Sequence, residues 1–325
     1  MKALVTGATG FVGSHLVEAL LERGYEVSCL VRESSSLRWI DWSRVNLMKG
    51  DVLDEASLAK AVEGVDYVFH LASATKGTDT RRFDSINCEG TSRLLEAVAR
   101  TNPKVKRVVH VSTLWAAGPG EDRKPLTEDS PCRPLSAYSK SKLAGERVAR
   151  EYMDQLNITI VRPCSVYGPR DTNWLGFFRM IKKGLSIQLG SKERHQNLIH
   201  VRDLAHGIIL AAESEQARGE TYFLASPKTY SWRELCRTAS NVLNNKILQI
   251  RIPEAILFAT AMAIETFNKL VGTPLYMERA KMTEMVHPYW VCDTSKAEKH
   301  LGFHCNVVLE EGFKETLRWY QENHL

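Results

Sequence analysis

The chain has 325 residues, 44% of them hydrophobic and 25% charged, enough to bury the core of one large α/β domain or two smaller units and too apolar for a disordered chain. Its formal net charge is +5, and the basic residues are spread along the chain without a run of like charges, so a nucleic-acid partner has little support. The seven cysteines are scattered without a C-x-x-C pair, and the histidines form no HExxH pair, which favours reduced thiols in a cytoplasmic protein and argues against a metal site.

The chain opens on an apolar strand, "KALVT", with no room for a signal peptide ahead of it. Apolar strands then alternate with helix-period segments: a helix over Phe11 to Arg23, strands "EVSCLV" and "VNLMKGD", a short helix from Glu55, and strand "VDYVFHLA". A long helix near Phe83 to Arg100, strand "VKRVVHVS", a helix from Tyr138 to Tyr152 and strand "ITIVRP" complete the series. This alternation predicts a Rossmann-type doubly wound parallel sheet with helices on both faces. The pattern loosens after Pro163. We expect residues 1–168 to form a dinucleotide-binding domain and 169–325 to form mainly a smaller substrate-binding region, with 198–226 returning to the main sheet. The longest apolar run, Ala255 to Ile264, is about half the length needed to cross a bilayer, so no integral membrane span is expected.

"VTGATGFVGSHL" places Gly7, Gly10 and Gly13 at G-x-x-G-x-x-G spacing between the first strand and an amphipathic helix. The first glycine permits the tight turn, the second lets a pyrophosphate approach the backbone and the third packs helix on strand, while the helix start offers free N–H groups. A glycine triplet alone is weak, but the strand-turn-helix context makes dinucleotide binding the stronger reading, with Thr9, Phe11 and Val12 in the same loop.

The end of the second strand faces the adenosine ribose in such folds, where a carboxylate selects NAD and an arginine accommodates the phosphate of NADP. Here it ends in Arg32, followed by three serines and Arg38, so NADP is preferred over NAD; the alternative is that Glu33 reads the ribose. Asp51 and Val52, after the third strand, sit where the adenine edge is held, and "HLAS" closes the fourth strand with Leu71, Ala72 and Ser73, small enough for a dinucleotide to lie close to the backbone. His70 reads as a packed strand histidine.

Strand "RVVHVS" ends in Ser112 and Thr113, and Tyr138 follows about 25 residues later at a helix start, four positions before Lys142. A lone Tyr-x-x-x-Lys is expected roughly once by chance in such a chain. The ordered set of glycine loop, strand-end hydroxyl, Tyr-x-x-x-Lys and a strand running into "RPCSVYGP" resembles the extended short-chain dehydrogenase/reductases, from the first residues to about Asp203 and more loosely at Asp293 to Phe303. The resemblance implies that Tyr138 is proton donor and acceptor, that Thr113 binds the substrate oxygen, and that Lys142 bonds the nicotinamide ribose. It further implies that Asn87 positions the site, and that Pro163 and Val166 line the nicotinamide face. A free phenol titrates near 10, so work at neutrality asks for a shift of roughly three units, ~4 kcal/mol. A Lys142 ammonium ~4 Å away could supply it at an effective dielectric near 20.

The resemblance also implies a small-molecule substrate and a possible homodimer through the helices near 83–100 and 138–152. The stretch Pro253 to Pro288, with Met277, Met282 and Met285, is similar to the 3β-hydroxysteroid dehydrogenase and dihydroflavonol reductase relatives and suits a fairly apolar alcohol or ketone, although methionine-rich helices are usually core. A nucleotide-sugar epimerase or dehydratase with tightly bound NAD is the alternative, with Arg170, Arg179, Arg194 and Arg202 available to clamp a diphosphate. A non-catalytic NADP-sensing regulator is the third reading, weakened by retention of Thr113, Tyr138 and Lys142.

Overall fold

The computed structural model describes residues 1–77, 79–260, 262 and 279–325. The segments Lys2–Thr6 (β1), Glu26–Val31 (β2), Asn46–Lys49 (β3), Tyr67–His70 (β4), Arg107–Val111 (β5) and Ile158–Pro163 (β6) are parallel, in the order β3-β2-β1-β4-β5-β6, and Thr221–Leu224 (β10) adds outside β6 as the seventh strand. Helices Phe11–Glu22 (α1) and Val201–Glu213 (α8) cover one face, whereas Glu55–Val62 (α2), Gly90–Thr101 (α4) and Ala137–Glu151 (α6) cover the other. Alternate residues serve the two layers: Ala3, Val5, Phe69 and Val109 pack with α1 and α8, while Leu4, Val68 and Val108 pack with α2 and α4. Because both faces are buried everywhere but at the exposed edge strand β3, the other strands read as apolar runs, which is why the sequence pattern was legible.

Strand order reverses between β1 and β4, and ligands of doubly wound sheets bind at the carboxyl ends beside this switch point.

The remainder builds smaller sheets. Strand His195–His200 (β9) pairs with Ser165–Tyr167 (β7), Thr229–Ser231 (β11) and Tyr289–Trp290, and Leu185–Leu189 (β8) pairs with Leu248–Ile252 (β12). Of the stretch 198–226, α8 and β10 therefore belong to the main layer and strand β9 to the second sheet. An aromatic core of Trp174, Phe177, Phe178, Phe313 and Tyr320 joins helix Leu175–Lys182 (α7), helix Trp232–Val242 (α9) and helix Leu309–Glu322. Met282 is buried against Leu257, Leu189 and Val286, so it serves as core; Met277 and much of the apolar stretch around it lie outside the described residues.

The helix expected over Phe83 to Arg100 is divided. A short helix Thr80–Asp84 (α3) passes into a π-helical turn over Ser85–Glu89 before α4 begins. Single π turns widen the helix by one residue, often at functional positions, and this one carries Asn87. A side chain on Gly145 of α6 would strike the Asn87 carbonyl, so glycine lets α6 press directly on the turn.

Candidate active site

A cleft of about 690 Å³ lies along the carboxyl edge of the sheet, within the usual size range for cofactor and substrate sites. The glycine turn forms one wall, with Gly7, Thr9, Gly10, Phe11, Val12 and Gly13 all facing the cleft. Gly7 has φ of +73°, and a Cβ there would sit 2.6 Å from the Ala72 nitrogen, so the turn requires glycine. Helix α1 has Gly10 as its N-cap, with no side-chain cap and no acidic residue in its first turn, so its N-terminal end, which lines the cleft, keeps its positive character. Residues and cradle therefore fit a dinucleotide pyrophosphate.

Arg32, Asp51 and Val52 line the end of the cleft beyond β2 and β3. Glu33 is turned to Lys49, 3.2 Å away on the surface, and the Asp51 carboxylate accepts from the Leu53 N–H at 2.9 Å. Leu71, Ala72 and Ser73 close the near side of β4.

At the opposite end the cleft brings together Ser112, Thr113, Tyr138, Lys142, Pro163 and Val166. Tyr138 lies in the first turn of α6, which starts at Ser136, and packs its ring edge-on to Phe83 at 6.1 Å. Thr113 caps the short helix Leu114–Ala117 (α5), its hydroxyl accepting from the Trp115 N–H at 3.4 Å, and it lines the cleft with Tyr138. The Ser112 hydroxyl points inward instead, donating to Glu146 Oε1 at 2.5 Å. Glu146 in turn holds Arg162 by a buried ion pair at 2.7 Å. Breaking such a pair from one side leaves an uncompensated buried charge, so Ser112, Glu146 and Arg162 form a fixed floor under the site.

Asn87 stands behind the cleft rather than in its wall. Its Oδ1 accepts from the Ala74 N–H at 2.8 Å and the Ser73 hydroxyl at 2.9 Å, and its Nδ2 donates to the Ala74 carbonyl and the Ser141 hydroxyl. It thereby ties the loop after β4 to α6. His70 bonds Thr6 and Thr91 through its two ring nitrogens, and burial pushes it down to about 3, as suits a packed neutral imidazole.

The electrostatics differ from the expectation that Lys142 lowers the tyrosine. Burial pushes the Tyr138 phenol up to about 12, with the Glu284 carboxylate adding to the rise and the Thr113 hydroxyl opposing it. Lys142 Nζ donates to the Val111 carbonyl at 2.8 Å, and burial brings it down to about 8 against the pull of Glu146. A water-poor site favours the neutral form of both groups, and the ammonium is held to the β5 backbone.

Sequence reasoning singled out none of the lining residues Lys76, Arg82, Trp115, Trp174 and Glu284, although Trp174 and Glu284 fall within the region 169–325 expected to carry the substrate. Trp115 stands two places after Thr113 and could have been read with it, whereas Glu284 reaches the site only through tertiary packing. None of the four arginines offered as a diphosphate clamp lines this cleft. Arg170 bonds Glu18, Arg194 bonds the Met285 carbonyl, Arg202 bonds Glu315, and Arg179 is exposed on α7.

Sheet and cleft together define an enzyme of the extended short-chain dehydrogenase/reductase type, built to work with a nicotinamide dinucleotide. Residues 3–225 match the NAD dependent epimerase/dehydratase family, and the chain belongs to that family. It is 36% identical over 338 residues to sterol demethylase protein B of Methylococcus capsulatus, covering 99% of both chains. It is 28% identical over 317 residues to ceramide reductase of Caulobacter vibrioides, covering 98% of this chain and 93% of that one. Among solved structures, UDP-glucuronic acid 4-epimerase from Bacillus cereus, in complex with NAD, shares the fold with a TM-score of 0.77 at 24% identity over the full length of both chains.

Proposed function

We propose that the protein is an NADP-preferring oxidoreductase that interconverts an alcohol and a carbonyl on a fairly apolar small molecule, with Thr113, Tyr138, Lys142 and Asn87 as its working set. The observation that carries this reading is the convergence of Thr113, Tyr138 and Lys142 on the same cleft that the glycine turn opens. When bound, the nicotinamide gives or takes the hydride. The Thr113 hydroxyl would hydrogen-bond the substrate oxygen, and the Tyr138 phenol would give that oxygen its proton; their shared presence in the cleft lining supports both roles. The phenol is held protonated at neutral pH, the form that serves carbonyl reduction. Lys142, fixed on Val111, would hold the nicotinamide ribose, and Asn87 keeps the Ser73–Ala74 backbone in place behind it.

NADP preference is supported by Arg32 in the cleft wall and by Glu33 being turned away to Lys49. Residues 1–168 would carry the dinucleotide and 169–325 mainly the substrate, which Asn173, Trp174, Leu204 and Glu284 face from that side. The apolar class is supported by Trp115, Trp174, Ile86 and Leu204 in the lining, by the four arginines lying outside it, and by relatives whose names include a sterol and a ceramide. A cytoplasmic homodimer belongs to the same proposal. Among the described residues no helix is long and apolar enough to cross a membrane, and all seven cysteines are free.

The test is a panel of sterol and long-chain ketones alongside UDP-sugars, with NADPH and NADH, read by cofactor absorbance and product chromatography. NADPH consumption with an apolar ketone supports the proposal. Epimerised UDP-sugar with no net cofactor consumption would instead establish the nucleotide-sugar reading.

A further inference from the structure

We propose that Glu284 is a positioning residue for this reaction: from the substrate side of the molecule its carboxylate completes the N-terminal cap of α6 and so sets the Tyr138 phenol in the cleft. The inference rests on the acid–base role proposed for Tyr138.

The usual helix-start box pairs a serine or threonine with a glutamate or glutamine three residues later, whose carboxylate or amide reaches back to the first N–H. In α6 the two positions are Ser136 and Ser139, and the carboxylate is missing from the local sequence. Ser139 Oγ and Ser136 Oγ do cap reciprocally, at 2.9 and 3.2 Å. Glu284 Oε1 supplies the missing anion from 148 positions along the chain, accepting from the Ser136 N–H and from the Ser139 hydroxyl, each at 3.0 Å. Ser136, Ser139 and Glu284 are all buried, so these bonds are shielded from water. Negative charge at a helix N-terminus is favourable, and Tyr138 lies between the two serines in that first turn.

Glu284 is itself held against the other half of the site. Its carbonyl accepts from Trp290 Nε1 at 3.0 Å, and Trp290 stacks on Trp115 at 5.0 Å, next to Thr113. The helix Arg279–Val286 and the following strand thus clamp both the phenol-bearing and the hydroxyl-bearing elements. Among the described residues, the charged groups lining the cleft besides Glu284 are Lys142 on the helix of Tyr138, Arg82 from α3, Lys76 from the loop after β4, and Arg32 and Asp51 beyond β2 and β3; Thr113 and Trp115 carry no charge. Glu284 raises the phenol, so removing its charge must lower the pH at which Tyr138 ionises.

The test uses the full chain with 3-fluorotyrosine at position 138, whose more acidic phenol titrates while the protein stays folded, read by fluorine NMR. Glu284→Gln keeps an acceptor and removes the charge. It should move the Tyr138 midpoint down by about 0.5 to 1.5 pH units, and the corresponding limb of the turnover–pH profile should move down with it. Glu284→Ala also removes the cap and should lower kcat by about tenfold or more, with cofactor affinity held within about threefold. An unmoved midpoint in Glu284→Gln, together with kcat in both variants within about twofold of the parent, would overturn the inference. The parent reading fails differently: retained activity in Tyr138→Phe removes the acid–base role, while the fluorine titration still reports whether Glu284 acts on residue 138.

Discussion

The two sides of the cleft are built on different terms. On the sheet side, the cleft-lining residues stand just after strands of the parallel sheet or in helices packed on it, and their positions follow from the register of that sheet. On the far side, short strands and an aromatic core bring in Asn173, Trp174 and Glu284, none of which belongs to the seven-stranded sheet. On the proposed function, the contrast assigns reaction chemistry to the part of the fold with a repeating plan, and selection and fine positioning to the part without one.

Changes on the sheet side should therefore be severe and specific, and changes on the far side milder. Tyr138→Phe keeps the ring and its contact with Phe83 and should lower kcat by about 1,000-fold or more, with cofactor Kd within a few-fold by calorimetry. Gly7→Ala forces a side chain into positive φ and against the Ala72 nitrogen, and cofactor affinity should fall by about tenfold to 100-fold in the same assay. Arg32→Ala should weaken NADPH by about tenfold and leave NADH within about threefold; equal losses would show that Arg32 does not read the phosphate. Asn173→Leu, on the far side, should change KM for the carbonyl substrate by only about two- to fivefold, with kcat nearly unchanged. A larger effect there than at Gly7 would break the comparison.

What the sequence revealed follows the same division. Gly7, Gly10 and Gly13, and the pair Tyr138 and Lys142, are local patterns whose spacing states their geometry, and the buried strands announce themselves as apolar runs. The π-helical turn at Asn87 was invisible, because no local residue pattern marks it, and its close approach to α6 at Gly145 exists only in the folded chain. So was the aim of Lys142: its spacing from Tyr138 suggested an ammonium beside a phenol, but its Nζ bonds the Val111 carbonyl. Although the stretch Pro253 to Pro288 was set on the substrate side, the capping contact of Glu284 within it could not be read. Its partners Ser136 and Ser139 form an ordinary-looking helix start, and only the folded chain supplies their carboxylate.

The most direct test of the central claim follows the hydride itself, using an apolar ketone and NADPH carrying deuterium at the transferring position of the nicotinamide. The account predicts that the parent enzyme releases an alcohol with deuterium on its carbinol carbon, and that Tyr138→Phe, though still binding the cofactor, releases essentially none. An alcohol formed without the label, or equal labelled product from the Tyr138→Phe enzyme, would contradict it.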